Sequence, residues 1–224
     1  MGKLIVIEGG DGAGKGTQTE LAFSALKNFG EITMFDFPRY GHSVAANIVG
    51  QALRGDFGDF RNLDPHISSL PYMIDRAGAR EDILAGLAKG NVICNRYTPS
   101  NVMYQSAKYD DPHQQDAMIK DLETLEYDEL KLPKPDIVIY LHVPAYISKE
   151  LVLIKDARAY LGTERRVVDQ HEADQAYQHA IILRFLKTVE ERDTWHRIEC
   201  VPNYELLSVT PIHEMVMEKI KAIL

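Results

Sequence analysis

Short apolar runs alternate along the chain with stretches whose apolar residues recur every three or four positions. Leu4-Ile5-Val6-Ile7, Val92-Ile93-Cys94 and Ile137-Val138-Ile139-Tyr140-Leu141 are uninterrupted runs, the signature of strands covered on both faces. Ile32 to Phe35 and Arg197 to Val201 extend the expected strands to five. Helical spacing links Leu21, Leu26 and Phe29, then Val44, Ile48 and Ala52, then Leu70, Ile74, Ala77, Leu84 and Leu87. Further helices are expected over 113–127, 145–157, 170–191 and along Ile212, Val216, Ile220 and Ile223. Strand followed by helix, repeated about five times, predicts an α/β fold: a doubly wound, five-stranded parallel sheet with helices on both faces. No repeat, low-complexity tract or linker divides it, so residues 1–224 read as a single domain. In such sheets ligands sit beyond the carboxyl ends of the strands.

With 224 residues, 45% of them hydrophobic, the chain can bury a core that needs neither disulfides nor a structural metal. Its 25 Lys+Arg against 33 Asp+Glu leave a net charge of −8. That argues against a duplex-coating or membrane-surface protein, so no nucleic-acid or membrane partner is expected, and any anionic ligand must rely on a local cluster of donors. Cys94 and Cys200 match no metal-ligand spacing and read as buried thiols of a reducing, cytoplasmic setting. There is no signal-peptide core after Lys3 and no apolar run of membrane-spanning length. The eight histidines are scattered without zinc-site spacing.

Directly after the first expected strand stand Gly9, Gly10, Asp11, Gly12, Ala13, Gly14, Lys15, Gly16 and Thr17, and then a helix. Gly9 to Lys15 fits G-x-x-x-x-G-K, whose backbone N–H groups turn inward around phosphates while the lysine reaches the β and γ oxygens. The helix N-terminus behind adds the positive end of its dipole. These nine residues are therefore the expected ATP cradle, with Lys15 catalytic. Gly16 stands where Ser or Thr normally offers a hydroxyl to Mg²⁺, so the Mg²⁺ expected with ATP is held mainly by nucleotide and water, and no residue is a certain metal ligand.

Three further segments set the reaction. Phe37-Pro38-Arg39-Tyr40, Asp75-Arg76-Ala77-Gly78-Ala79 and Asn95-Arg96-Tyr97-Thr98-Pro99-Ser100-Asn101-Val102-Met103-Tyr104-Gln105 follow the loop in order. Together they resemble the thymidylate kinases, strongly over about residues 1–110 and more loosely through 135–185. The resemblance implies a P-loop nucleoside monophosphate kinase fold with a short lid, and transfer of a phosphoryl group from ATP to dTMP. It implies a dTMP pocket of Asp11, Phe37, Arg39, Tyr40, Tyr72, Arg76, Arg96, Tyr97, Asn101 and Tyr104. In it Asp11 bonds the sugar 3′-hydroxyl, Tyr72 lies on the base, Arg76 and Asn101 read its polar edge, Tyr104 crowds the 2′ position and Arg96 touches both phosphates. It also implies a homodimer. Two polyanions must be brought in line, which suits rigid cationic forks better than a general base.

The chain departs from the resemblance in two places. Asn95 stands where the family carries Asp before the arginine, and Asp169, Glu172 and Glu8 are the candidate replacements, Glu172 also as a metal ligand. The phosphate loop has no arginine, so the cation for the migrating phosphoryl group falls to a lid at about 155–168. Lys149, Lys155, Arg158, Arg165 and Arg166 make that stretch locally positive, and Arg166 is the chosen catalytic residue. Two other readings stay open: another nucleoside monophosphate kinase, since Gly14-Lys15-Gly16-Thr17-Gln18 also occurs in adenylate kinases, and a catalytically weak nucleotide-binding protein.

Overall fold

Successive residues of an extended strand point to opposite sides, and the first strand shows what that does here. Leu4 and Val6 join one apolar cluster, and Ile5 and Ile7 join another on the opposite side. The structure, a computed structural model, describes residues 2–59, 62–147 and 175–224. Within these, β1 (Leu4–Gly9), β2 (Ile32–Asp36), β3 (Asn91–Asn95), β4 (Ile137–His142) and β5 (Trp195–Glu199) form one sheet in the order β2-β3-β1-β4-β5. All the pairings are parallel, with Ile5 opposite Ile93 and Ile137, and Asp36 opposite Asn95. The expected sheet is present, and β5 begins two residues earlier than its apolar run suggested.

Helices α1 (Lys15–Leu26) and α8 (Val209–Lys221) cover one face, where Ala22, Leu26, Ile212, Val216 and Ile220 pack on Ile5, Ile7 and Ile139. The other face carries α3 (Pro65–Gly78), α4 (Arg80–Lys89), α5 (Thr98–Ser106), α6 (Pro112–Glu123) and α7 (Gln175–Glu191). Its core holds Tyr140 stacked on Phe185 at 4.6 Å, with Met73, Ile83, Met103 and Leu122. Cys94 and Cys200, both fully buried and unpaired, lie in opposite clusters. No helix among the described residues is long and apolar enough to cross a membrane.

Several apolar stripes face the other way from their expected direction. In α2 (Val44–Leu53), Val44 and Ile48 point outward, and Ala45, Ala46, Val49 and Ala52 are buried. Leu70 and Ile74 of α3 are also exposed. The stretch expected as one helix through Leu87 breaks at Ala79 into α3 and α4. Phe29 lies in a short 3-10 turn beyond α1 and is exposed. Ser43 caps α2 by accepting from Ala46 N at 2.9 Å, and Asp64 and Asp111 cap α3 and α6, each followed by Pro. The expected helix over 145–157 lies mostly outside the described residues, as does the lid.

Candidate active site

The phosphate loop is shaped by close backbone approach. A Cβ on Gly9 would lie 2.9 Å from Leu141 O of β4, so only glycine fits as the chain leaves the sheet. Gly12 and Gly14 take φ of 78° and 83°, and Gly14 starts α1. Lys15 is almost wholly buried; its Nζ donates to Gly10 O at 2.7 Å and lies 3.9 Å from Asp11 Oδ1. The loop's own carbonyl thus holds the ammonium where a phosphate oxygen is expected.

Beyond β3 the chain turns sharply through Arg96, whose φ is +59°. Two groups fix this turn: Arg96 N donates to Ile7 O at 3.0 Å, and the buried Glu8 accepts from Tyr97 N, Ser100 N and Ser100 Oγ. Burial raises the Glu8 pKa above its ordinary value, against the lowering pull of Arg96 and of these hydrogen bonds. Glu8 is therefore a structural pin with both oxygens engaged, which removes it as a replacement for the acid missing at Asn95. The Arg96 guanidinium pairs with Asp11, donates to Ser100 Oγ at 3.2 Å and lies over the Tyr104 ring. Tyr104 OH donates to Asp11 Oδ2 at 3.3 Å, so cradle and acceptor side meet at this carboxylate.

A second buried network surrounds Arg76. Its Nε and Nη2 donate to Glu126 at 2.6 and 2.5 Å, and Glu126 also accepts from Thr98 Oγ1 and Asn101 Nδ2. Glu126 sits on a π-helical turn, Thr124–Glu129, that continues α6. With Nδ2 committed, the buried Asn101 Oδ1 has no partner among the described residues, so the amide presents an acceptor.

A cleft of ≈ 260 Å³ opens at the carboxyl ends of β1, β2 and β3, lined by Asp11, Phe37, Tyr40, Tyr72, Arg76, Arg96, Tyr97, Asn101 and Tyr104 of the expected residues. Arg39 is not among them. Its Nε donates to the buried Asp75 at 2.9 Å and its Nη2 to Asp75 O, so Asp75 holds Arg39. Tyr97 is fully buried, packs on Phe37 and donates to Pro133 O, so its ring belongs to the core. Leu53, Asp75, Gln105 and Asp36 also line the cleft. Of these, Asp75 and Gln105 stand inside the segments that carry the resemblance, whereas nothing in the sequence singles out Leu53 or Asp36. Lys149, Lys155, Arg158, Arg165, Arg166, Asp169 and Glu172 lie outside the described residues.

Among the described residues no three His, Cys, Asp or Glu side chains gather to hold a metal. Mg²⁺ carried on a nucleotide needs only one or two protein oxygens. Asp11, beside Lys15, supplies an oxygen of that kind, so the donor set fits.

Comparison with known proteins places these features in a family. The family model described as thymidylate kinase matches residues 7–208. Thymidylate kinase of Mycobacterium tuberculosis is 39% identical over 150 residues, 66% of this chain and 69% of that protein. A probable thymidylate kinase of Methanocaldococcus jannaschii is 28% identical over 189 residues, 84% of this chain and 90% of that one. In fold, the chain is similar to the solved structure of thymidylate kinase from Candida albicans, with a TM-score of 0.68 at 20% identity, covering 99% of this chain and 92% of that one.

Proposed function

The chain belongs to the thymidylate kinase family, and on that premise we infer that it moves the γ-phosphoryl group of ATP onto dTMP, giving dTDP and ADP for dTTP synthesis. The observation that carries this reading is the make-up of one cleft: a phosphate-directed guanidinium, Arg96, shares it with the base-edge pair Arg76 and Asn101. Residues 1–224 act as one kinase domain. Gly9 to Thr17 wrap the ATP phosphates, and Lys15 exchanges Gly10 O for phosphate oxygens. Arg96 releases Asp11 to contact the acceptor and transferred phosphates, which frees Asp11 for the sugar 3′-hydroxyl. Phe37 and Tyr72 hold the base between apolar faces, Tyr40 lies at the pocket's outer edge, and Tyr104 excludes a 2′-hydroxyl. Arg39 acts at one remove, through Asp75. Arg166 is assigned from sequence alone as the cation for the migrating group.

Mg²⁺ bound with ATP would supply charge neutralisation at the phosphates, and Asp11 is the described residue whose second carboxylate oxygen would help hold it. The rest of catalysis is positioning by this chain's own cations. Unpaired thiols at Cys94 and Cys200 support a cytoplasmic setting. A homodimer is supported by the exposed apolar face formed by Val44 and Ile48 of α2 with Ile67, Leu70 and Ile74 of α3.

Purified protein with Mg-ATP, assayed for ADP release against dTMP, dUMP, UMP, CMP, AMP and GMP, tests the assignment. Preference for dTMP is expected, and Lys15→Ala and Arg96→Ala should each lose about 100-fold or more in kcat while remaining folded. Preference for AMP or CMP refutes the substrate, and ATP binding without turnover on any acceptor refutes the reaction.

A further inference from the structure

Asp36 is the last residue of β2, directly opposite Asn95, the last residue of β3. Asn95 Nδ2 donates to Asp36 Oδ1 at 2.7 Å, and Asn95 Oδ1 is buried without a partner among the described residues. The amide also lies against the start of α1, where a Cβ on Gly16 would come within 3.9 Å of Asn95 Nδ2. Position 16 therefore stands beside this pair, at ordinary contact distance between the sheet and the phosphate loop.

The other cleft carboxylates are already committed to cations. Asp11 pairs with Arg96 and approaches Lys15, and Asp75 pairs with Arg39. Asp36 has no ion pair among the described residues and only a neutral amide as hydrogen-bond donor, yet it lines the cleft and remains open to it. The charges acting on it come from Arg96, from Lys15 and from Glu20 of α1. Desolvation holds its pKa above the ordinary aspartate value, although the Asn95 hydrogen bond and both cations pull it down.

We propose that Asp36, aimed by Asn95, is a positioning residue for phosphoryl transfer: it holds Lys15 and Arg96 in line once the substrates have taken Asp11 away from them. This rests on the kinase reading, in which Asp11 turns to the sugar hydroxyl. It places the acid that the sequence lacks at position 95 on the neighbouring strand, and the two residues are an exchanged carboxylate–amide pair. Because the pair is a register pair, either strand can carry the charge.

The exchange supplies the test. Wild type, Asp36→Asn, Asn95→Asp and the double variant Asp36→Asn/Asn95→Asp are compared for kcat and KM on dTMP and ATP across pH, with thermal unfolding as the control for folding. Asp36→Asn is expected to fold normally, since the side chain is open to solvent, and to lose on the order of 10–100-fold in kcat, with KM changed much less. It should also lose the part of the acidic fall in kcat that comes from protonating Asp36. The double variant should recover most of the lost kcat. Asn95→Asp alone puts two carboxyl groups within hydrogen-bonding distance, so they share a proton and the acidic limb moves to higher pH. An active wild type whose Asp36→Asn variant keeps its kcat and pH profile overturns this inference alone, as does a double variant no better than Asp36→Asn. A wild type without turnover on any acceptor overturns the kinase reading and this inference with it.

Discussion

Glu126 is a single carboxylate that keeps in place the two side chains proposed to read the base, since Arg76 and Asn101 both donate to it in a fully buried setting. Removing one partner of a buried ion pair strands the other, at a cost of about 3–5 kcal/mol. Glu126→Gln should lower unfolding free energy in urea by that amount and raise KM for dTMP. Replacing both partners removes the stranded charge, so Arg76→Leu/Glu126→Leu should be more stable than Glu126→Gln while binding dTMP more weakly still. A double variant as unstable as the single one would mean that packing around the π-helical turn, and not charge, sets the cost. The cationic half of this site is legible in the sequence because Lys15, Arg76 and Arg96 sit in motifs with their own chemistry. Asp11, the partner of Lys15 and Arg96, is legible in the phosphate loop, but the distant pairings are not: Glu126 is 50 residues from Arg76, Asp75 is 36 from Arg39 and Asp36 is 59 from Asn95. Nothing local tells which partner those acids take, because that depends on which chain segments the sheet brings together.

The strands declare themselves because both faces of the sheet are covered, which makes each strand a continuous apolar run. The helices are harder to read, since an apolar stripe shows that something covers that face but not what. In α2 and α3 the stripe meets solvent, and the helix sides turned to the protein carry alanine, serine and the polar residues of the cleft. Close helix–sheet packing also leaves a mark at Gly86, in the middle of α4. A Cβ there would lie 2.8 Å from Val92 Cγ2 of β3 and 3.2 Å from Thr33 Oγ1 of β2. Alanine improves helix propensity over glycine by about 0.8–1.0 kcal/mol. Forcing a methyl into a packed, β-branched neighbour costs about 1–3 kcal/mol. The clash should win, and Gly86→Ala should lower the unfolding midpoint without changing KM for either substrate. A raised midpoint would show that α4 can lift away from the sheet.

Across the whole molecule, the net charge of −8 coexists with a cleft at the carboxyl ends of three strands into which Arg76 and Arg96 are brought together. The exposed apolar face of α2 and α3 is the other large-scale asymmetry. Ile74 directly precedes Asp75 and Arg76, so a partner seated on that face would bear on the helix that carries the arginine proposed to read the base. Ile67→Glu/Ile74→Glu should convert a dimer to a monomer in light scattering and raise KM for dTMP; unchanged mass would move the interface elsewhere. The two thiols add a property of a different kind. Burial raises both pKa values, Cys200 to about 12, so neither reacts as a thiolate in the native fold. Each must wait for its own side of the sheet to open before an alkylating reagent can reach it. The chain thus carries one silent chemical clock in each half of its interior. Equal labelling rates would mean that the molecule opens all at once; slower labelling of Cys94 when nucleotides are bound would time how firmly the occupied cleft closes the half beneath it.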